Sequence, residues 1–158
     1  MDLWLTDDIR WLRCDIKTIN LLGNVLVKRE AADHGCHEAL MHRNGIITEG
    51  SSSNVFIVKD NVLYTHPATN LILRGITRQI VCQLAKAVGL AVKEETFLVE
   101  ALHQADEVFI TSTMMEVMPV RSIKGQIEKN YTIGPITLKL QNHFSQKIQA
   151  LSKTTSTH

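Results

Sequence analysis

The sequence predicts an α+β domain, a mixed and largely antiparallel sheet with flanking helices. Three observations predict it. Asn44 and Gly45 sit between two apolar runs, as a two-residue hairpin turn requires. Asp60 and Asn61 repeat the device inside NVFIVKDNVLYTH. Helix-like stretches alternate with these hairpins without the regular βαβ order of a doubly wound sheet.

Each element follows from its own pattern. IRWLRCDIK (9–17) reads as a strand that begins polar and becomes buried. Residues 18–35 read as a helix, because Ile19, Leu22, Val25 and Leu26 recur at helical spacing and Gly35 suits a C′ stop. The two hairpins follow. Residues 73–90 read as a second helix, opened by Gly75, with Thr77 in its first turn and Gly89 closing it. AVKEETF reads as a strand, VEALHQA as a short helix and DEVFITST (106–113) as a buried strand ending in small hydroxyl residues. VMPVRSIKGQIE holds a strand, a turn at Lys124 and Gly125, and a short return. Residues 132–151 read as a C-terminal helix, with Pro135 tolerable in its first turn. Residues 1–8 are expected to be a leader, 9–151 the folded domain and 152–158 a frayed tail.

Composition narrows the function. The 158 residues are 44% hydrophobic and 21% charged, enough for a packed core. Lys and Arg number 17 against 16 Asp and Glu, so no basic stripe argues for nucleic acid and no polybasic run for a membrane surface. No apolar run approaches the ~18 residues that span a bilayer. Cys14, Cys36 and Cys82 are odd in number and widely spaced, which makes a reducing cytoplasm the expected compartment. His34, Cys36, His37 and His42 lie close together but lack the spacing of a zinc motif.

Three short stretches combine small residues with free backbone N–H groups at a strand end or helix start: EGSSSN (49–54), LRGIT (73–77) and TST (111–113). Such places bind anions, because N–H groups and the helix dipole face the charge. None carries a P-loop or dinucleotide fingerprint. Lys17, between Ile16 and Ile19, is either a lysine whose amine loses solvation and becomes a nucleophile, or one that snorkels to water. Glu49, after Ile46 and Ile47, is either a buried carboxylate facing a cation or an exposed hairpin residue. Amine, carboxylate and phosphate cradle together are the parts of a pyridoxal phosphate site.

These residues resemble known motif blocks. RWLRCDIKTINLLGNVLVKREA, TEGSSSNVFIVKDNVLYTHP, ILRGITR and VFITSTMMEVMPV are similar, in order, to the blocks of the bacterial D-amino acid aminotransferases. That family belongs to the fold-type IV pyridoxal phosphate enzymes, with the branched-chain aminotransferases and aminodeoxychorismate lyases. The resemblance implies the larger C-terminal domain of that class, a pseudo-barrel, and pyridoxal 5'-phosphate as cofactor. It implies that Lys17 forms the Schiff base and carries protons, and that Glu49 faces the pyridine nitrogen. Ile76, Thr77 and Thr113, with Ser112 beside them, match residues around the phosphate. Ser52 and Ser53 match residues near the cofactor edge, Leu73 the apolar residue against the ring, and Arg10 an arginine bonded close to the site. The implied reaction takes a D-amino acid and a 2-oxo acid, D-alanine with 2-oxoglutarate giving pyruvate and D-glutamate.

The resemblance also implies what this chain lacks. The family's first domain supplies a phosphate-clamping arginine and the grip on the substrate carboxylate, some of it across a homodimer interface. The expectation is therefore impaired turnover and an absent N-terminal domain, in a fragment, a truncated gene product or one half of a split protein whose N-terminal domain is a separate chain. The alternatives are aminodeoxychorismate lyase or branched-chain aminotransferase activity, or a non-catalytic fragment.

Overall fold

The structure is a computed structural model that describes residues 1–155, with side chains through 151. Two five-stranded sheets stack face to face. The first runs β10 (Lys129–Asn130), β9 (Ser122–Gly125), β1 (Asp2–Asp7), β2 (Glu38–Arg43), β3 (Ile46–Gly50). The second runs β6 (Ala91–Glu94), β5 (Val62–Thr65), β4 (Asn54–Lys59), β7 (Glu107–Ser112), β8 (Glu116–Pro119). Helix α1 (Leu22–Asp33) covers the outer face of the first sheet, while α2 (Ile76–Ala87) and α4 (Pro135–Thr155) cover that of the second. The short α3 (Val99–Gln104) plugs one end, with Leu102 fully buried.

Side-chain alternation explains this layering. In β4, Val55 and Ile57 join Leu3, Leu5, Leu40 and Ile47 in the core between the sheets. Phe56 and Val58 point the other way and meet Val81, Ala85, Leu140 and Phe144 of the helices. Phe56 stacks on Phe109 with ring centroids 4.9 Å apart. Both predicted hairpins are present, β2–β3 and β4–β5. Their turns use left-handed backbone at Asn44, Gly45, Asp60 and Asn61, as a tight hairpin requires. Antiparallel pairings predominate, with parallel ones at β1–β2, β1–β9 and β5–β6.

Several expectations are corrected. Residues 1–8, read as a leader, contain β1, which lies at the centre of the first sheet with Leu3 and Leu5 inside the core. The strand read over 9–17 is absent; that stretch is an irregular loop. The helix read over 18–35 begins only at Leu22. Its sheet-facing residues are Val27 and Ala31, whereas Ile19, Leu22, Val25 and Leu26 are exposed. The apolar period was real, but it marks the outer side. The turn read at Lys124 and Gly125 falls after them, and Gly125 belongs to β9. A Cβ there would come within 2.7 Å of the Leu5 carbonyl, so only glycine lets β9 lie this close to β1. The C-terminal helix runs past the expected 151 to Thr155, and the rest of the expected tail, 156–158, lies outside the described residues.

Candidate active site

β3 leaves the first sheet and β4 enters the second after only the three residues 51–53. Glu49, near the end of β3, therefore lies where the two sheets meet. Its side chain is 5% exposed. A carboxylate so buried needs donors, and four bonds supply them. Arg10 Nη1 donates to Oε1 at 2.6 Å, Asn54 Nδ2 to Oε2 at 2.8 Å, and the Leu73 N–H to both oxygens at 3.1 Å. Burial pushes the Glu49 carboxyl up to about 7, against the pull of Arg10 and the Leu73 N–H.

Arg10 is itself fixed. Asp8 accepts from its Nε at 2.9 Å and its Nη2 at 2.8 Å, and Arg10 Nη2 also reaches the Leu71 carbonyl at 3.2 Å. Burial works against the Arg10 charge, but Asp8 and Glu49 raise its pKa above the ordinary arginine value. Burial would likewise lift the Asp8 carboxyl, yet Arg10 and Arg43 hold it below the usual carboxylate range.

The loop 9–21 carries Lys17. It is tied down by Cys14 N–H to the Asn70 carbonyl at 2.8 Å, by Asn70 Nδ2 to the Leu12 carbonyl at 2.6 Å, and by Arg43 Nη2 to the carbonyls of Arg10 and Trp11 at 2.8 and 2.9 Å. Lys17 itself is exposed. The desolvation expected from its neighbours is not present, because Ile16 is 43% exposed and Ile19 wholly so.

Opposite the loop, α2 opens at Gly75 with no side chain capping its first turn. The first-turn N–H groups there have no carbonyl partner of their own, and the helix dipole adds positive potential. Gly75 is required by closeness: a Cβ would sit 2.3 Å from Asn54 Oδ1. Asn54 also donates to the Leu73 carbonyl at 2.8 Å, so it ties β4, Glu49 and the approach to α2 together.

These parts enclose one cavity of about 220 Å³. Lys17, Glu49, Arg10, Ser52, Ser53, Leu73, Ile76, Thr77, Ser112 and Thr113, the residues to which the resemblance gives a part in the site, line it. Their contacts differ from expectation in places. Ser52 donates its hydroxyl to Glu38 Oε2 at 2.7 Å, and the Ser112 hydroxyl oxygen accepts the Met115 N–H at 3.0 Å. The buried hydroxyls of Ser53 and of Thr111, another lining residue, have no partner among the described residues. An amine, a held carboxylate, an uncapped helix start and two unpartnered hydroxyls make a donor set that suits pyridoxal 5'-phosphate.

Asn54, Thr111 and Glu38 were not singled out from sequence. Asn54 and Thr111 stood inside the quoted blocks EGSSSN and TST. Glu38 is the one acid opening the apolar run EALM, beside the close group His34, Cys36, His37 and His42. Those residues disperse: His34 stacks on Trp4 with centroids 3.7 Å apart, His37 Nδ1 accepts the Asp2 N–H at 3.2 Å, and His42 pairs with Gln126 at 2.5 Å.

Comparison with known proteins places the chain in a family. The family described as amino-transferase class IV matches residues 3–123. The D-alanine aminotransferase of Staphylococcus epidermidis is 52% identical over 147 residues, covering 93% of this chain and 52% of that protein. The D-alanine aminotransferase of Listeria innocua is 51% identical over 142 residues, 90% of this chain and 49% of that protein. Among solved structures, the branched-chain amino acid aminotransferase of Escherichia coli is 39% identical with a TM-score of 0.77, over 90% of this chain and 50% of that one. A T.th. branched-chain amino acid aminotransferase solved with pyridoxamine 5'-phosphate is 33% identical with a TM-score of 0.81, over 92% and 50%. The chain thus spans about half the length of the curated relatives it matches. With a family match over residues 3–123, most of its length, this chain belongs to the class IV aminotransferases.

Proposed function

We propose that this chain is the cofactor-carrying part of a pyridoxal 5'-phosphate-dependent D-amino acid transaminase. It would serve the transfer of an amino group from D-alanine to 2-oxoglutarate, giving pyruvate and D-glutamate. The observation that carries the reading is Glu49, a buried carboxylate held by Arg10, Asn54 and the Leu73 N–H on the wall of a cavity that also holds an amine and an uncapped helix start. Sequence identity of about one half to D-alanine aminotransferases favours the D-amino acid over a branched-chain substrate, for which solved relatives are 30–39% identical.

When bound, pyridoxal 5'-phosphate supplies an aldehyde carbon that takes up amino groups and a pyridine ring that accepts electron density. Glu49 would hold a proton on the ring nitrogen, since a carboxylate so buried is stabilised by a cation beside it. The N–H groups of Ile76 and Thr77, with the hydroxyls of Thr77 and Thr113, would bind the phosphate, and Ser53 would lie near the cofactor edge. Leu73 would keep water from one face of the ring. Lys17 Nζ would anchor the aldehyde carbon and then, once displaced by substrate, take the substrate's α-proton and deliver it to that carbon.

Substrate grip is proposed to come from the half of the relatives' length that this sequence does not cover, or from a second copy in a homodimer. The exposed apolar residues Trp11, Leu12, Ile19, Leu22 and Val25 around the cavity mouth and α1 support such a cover. A cytoplasmic setting is inferred from three free cysteines, and no described helix is long and apolar enough to cross a membrane.

The test is direct. Pyridoxal 5'-phosphate added to the chain should give a visible absorbance band that Lys17→Ala lacks. Absence of the band in the parent would refute the cofactor reading. A band without pyruvate from D-alanine and 2-oxoglutarate would instead favour a non-catalytic cofactor carrier. Turnover of L-leucine but not D-alanine would favour the branched-chain reading, and pyruvate released from aminodeoxychorismate the lyase.

A further inference from the structure

Glu38 opens β2, and its side chain is completely buried although the carboxylate takes no part in the cavity wall. A buried carboxylate survives only where donors replace the water it has lost. Most of its donors come from one turn. Oε1 accepts the Ser51 hydroxyl in a short bond, the Ser51 N–H at 3.3 Å and the Ala39 N–H at 2.8 Å. Oε2 accepts the Ser52 hydroxyl at 2.7 Å, and Lys28 Nζ lies 3.5 Å away.

The same turn is gripped from its other side by α1, where Asn24 Nδ2 donates to the Ser51 carbonyl at 2.7 Å. It is closed by the Gly50 N–H to the Ser53 carbonyl at 2.7 Å. Residues 50–53 all line the cavity, with Glu49 at one end and Asn54 at the other. Those two ends are joined across the turn by the 2.8 Å bond from Asn54 to Glu49. The conformation of the turn therefore sets how Asn54 meets Glu49. The serine run also divides by role: Ser51 and Ser52 spend their hydroxyls on Glu38, while Ser53 keeps its own unpartnered.

We propose that Glu38 is a positioning residue for the cavity: by binding the hydroxyls of Ser51 and Ser52 it fixes the turn that sets Glu49 against Asn54. The inference rests on the reading of the cavity as a pyridoxal 5'-phosphate site. Charge-assisted bonds are the strong ones, so a carboxylate is suited to the task, and glutamine keeps its length and one acceptor oxygen.

The experiment uses the full chain and three variants, Glu38→Gln, Glu38→Ala and Ser52→Ala. It measures the dissociation constant for pyridoxal 5'-phosphate by absorbance titration, amide hydrogen exchange at residues 50–54, and the unfolding midpoint without ligand. Glu38→Ala should weaken binding tenfold or more and speed exchange at 50–54 by a similar factor. Glu38→Gln should stay within about threefold of the parent in both, and Ser52→Ala should fall between them. Should Glu38→Ala not fold, Ser52→Ala decides, since Ser52 is exposed and its removal spares the core. Equal weakening by Gln and Ala overturns the proposal. So does a lowered midpoint with unchanged affinity, or Ser52→Ala indistinguishable from the parent in affinity and exchange. If the parent binds no pyridoxal 5'-phosphate, the cofactor reading itself fails. The positioning role is then judged on exchange alone: a rise confined to 50–54 supports it, and no rise overturns it.

Discussion

Arg10 Nη1 lies 2.6 Å from Glu49 Oε1, and both side chains are 5% exposed. Because Arg10 Nη2 also lies 2.8 Å from Asp8 Oδ2, one guanidinium neutralises two buried acids. Removing it takes away the cation beside Glu49 and leaves Asp8 to Arg43. Arg10→Ala should cost roughly 3–5 kcal/mol of stability, read from urea unfolding. Arg10→Lys should restore little of it, since an ammonium cannot fork between the two carboxylates.

Lys17 makes the opposite case. It is exposed, so Lys17→Ala should change stability by no more than about 0.5 kcal/mol. A fold left intact together with lost visible absorbance on adding pyridoxal 5'-phosphate would separate a chemical role from a structural one.

The pH dependence of stability should carry the mark of Glu49. Its carboxyl is pushed up to about 7 by burial, so the folded chain holds a proton that the unfolded chain has released. Stability from this group is complete below the ordinary carboxylate value and is lost as pH rises through about 7. His66, lowered by its burial, works the other way, costing stability as pH falls below the ordinary histidine range. Subtracting the profile of Glu49→Gln removes the histidine contribution. The difference should fall with rising pH, and a flat difference would count against this assignment.

Gly75→Ala tests the closeness of α2 to Asn54. Its new Cβ would meet Asn54 Oδ1 at 2.3 Å and push the amide away from Glu49. Overpacking of this kind costs roughly 1–3 kcal/mol. The melting temperature should fall, and affinity for pyridoxal 5'-phosphate should fall about tenfold; Ala at neighbouring Arg74, which is exposed, should do neither.

Leu5→Ala addresses the first strand. Leu5 is 1% exposed between the sheets, so truncation should cost roughly 2–5 kcal/mol. A cost near zero in urea unfolding would restore the reading of residues 1–8 as a leader.

Much of the fold was legible because local chemistry and global fold agree. Asn44 with Gly45 and Asp60 with Asn61 named their hairpins, since few other residues accept left-handed backbone. The buried strand β7 was equally clear. What stayed hidden depends on partners distant in sequence. β1 alternates Leu3 and Leu5 inward with Trp4 and Thr6 toward Glu30, yet acids at its edges disguised it. The apolar stripe of α1 named the wrong face, because its sheet contact needs only the small surface of Val27 and Ala31. Of the site, the residues singled out on the cavity wall stand inside motif blocks. The bonds of Glu38 and Asn24 could not be read, since nothing in their own neighbourhoods signals a bond to a turn 13 or more residues away.

The short passage from β3 to β4 has a mechanical consequence. Glu49 travels with the first sheet and Thr111, paired with Asn54 across β4 and β7, with the second. Any sliding of one sheet over the other would change the gap between those two groups. The cavity is thus a gauge of sheet alignment, and a molecule spanning it would act as a pin between two plates.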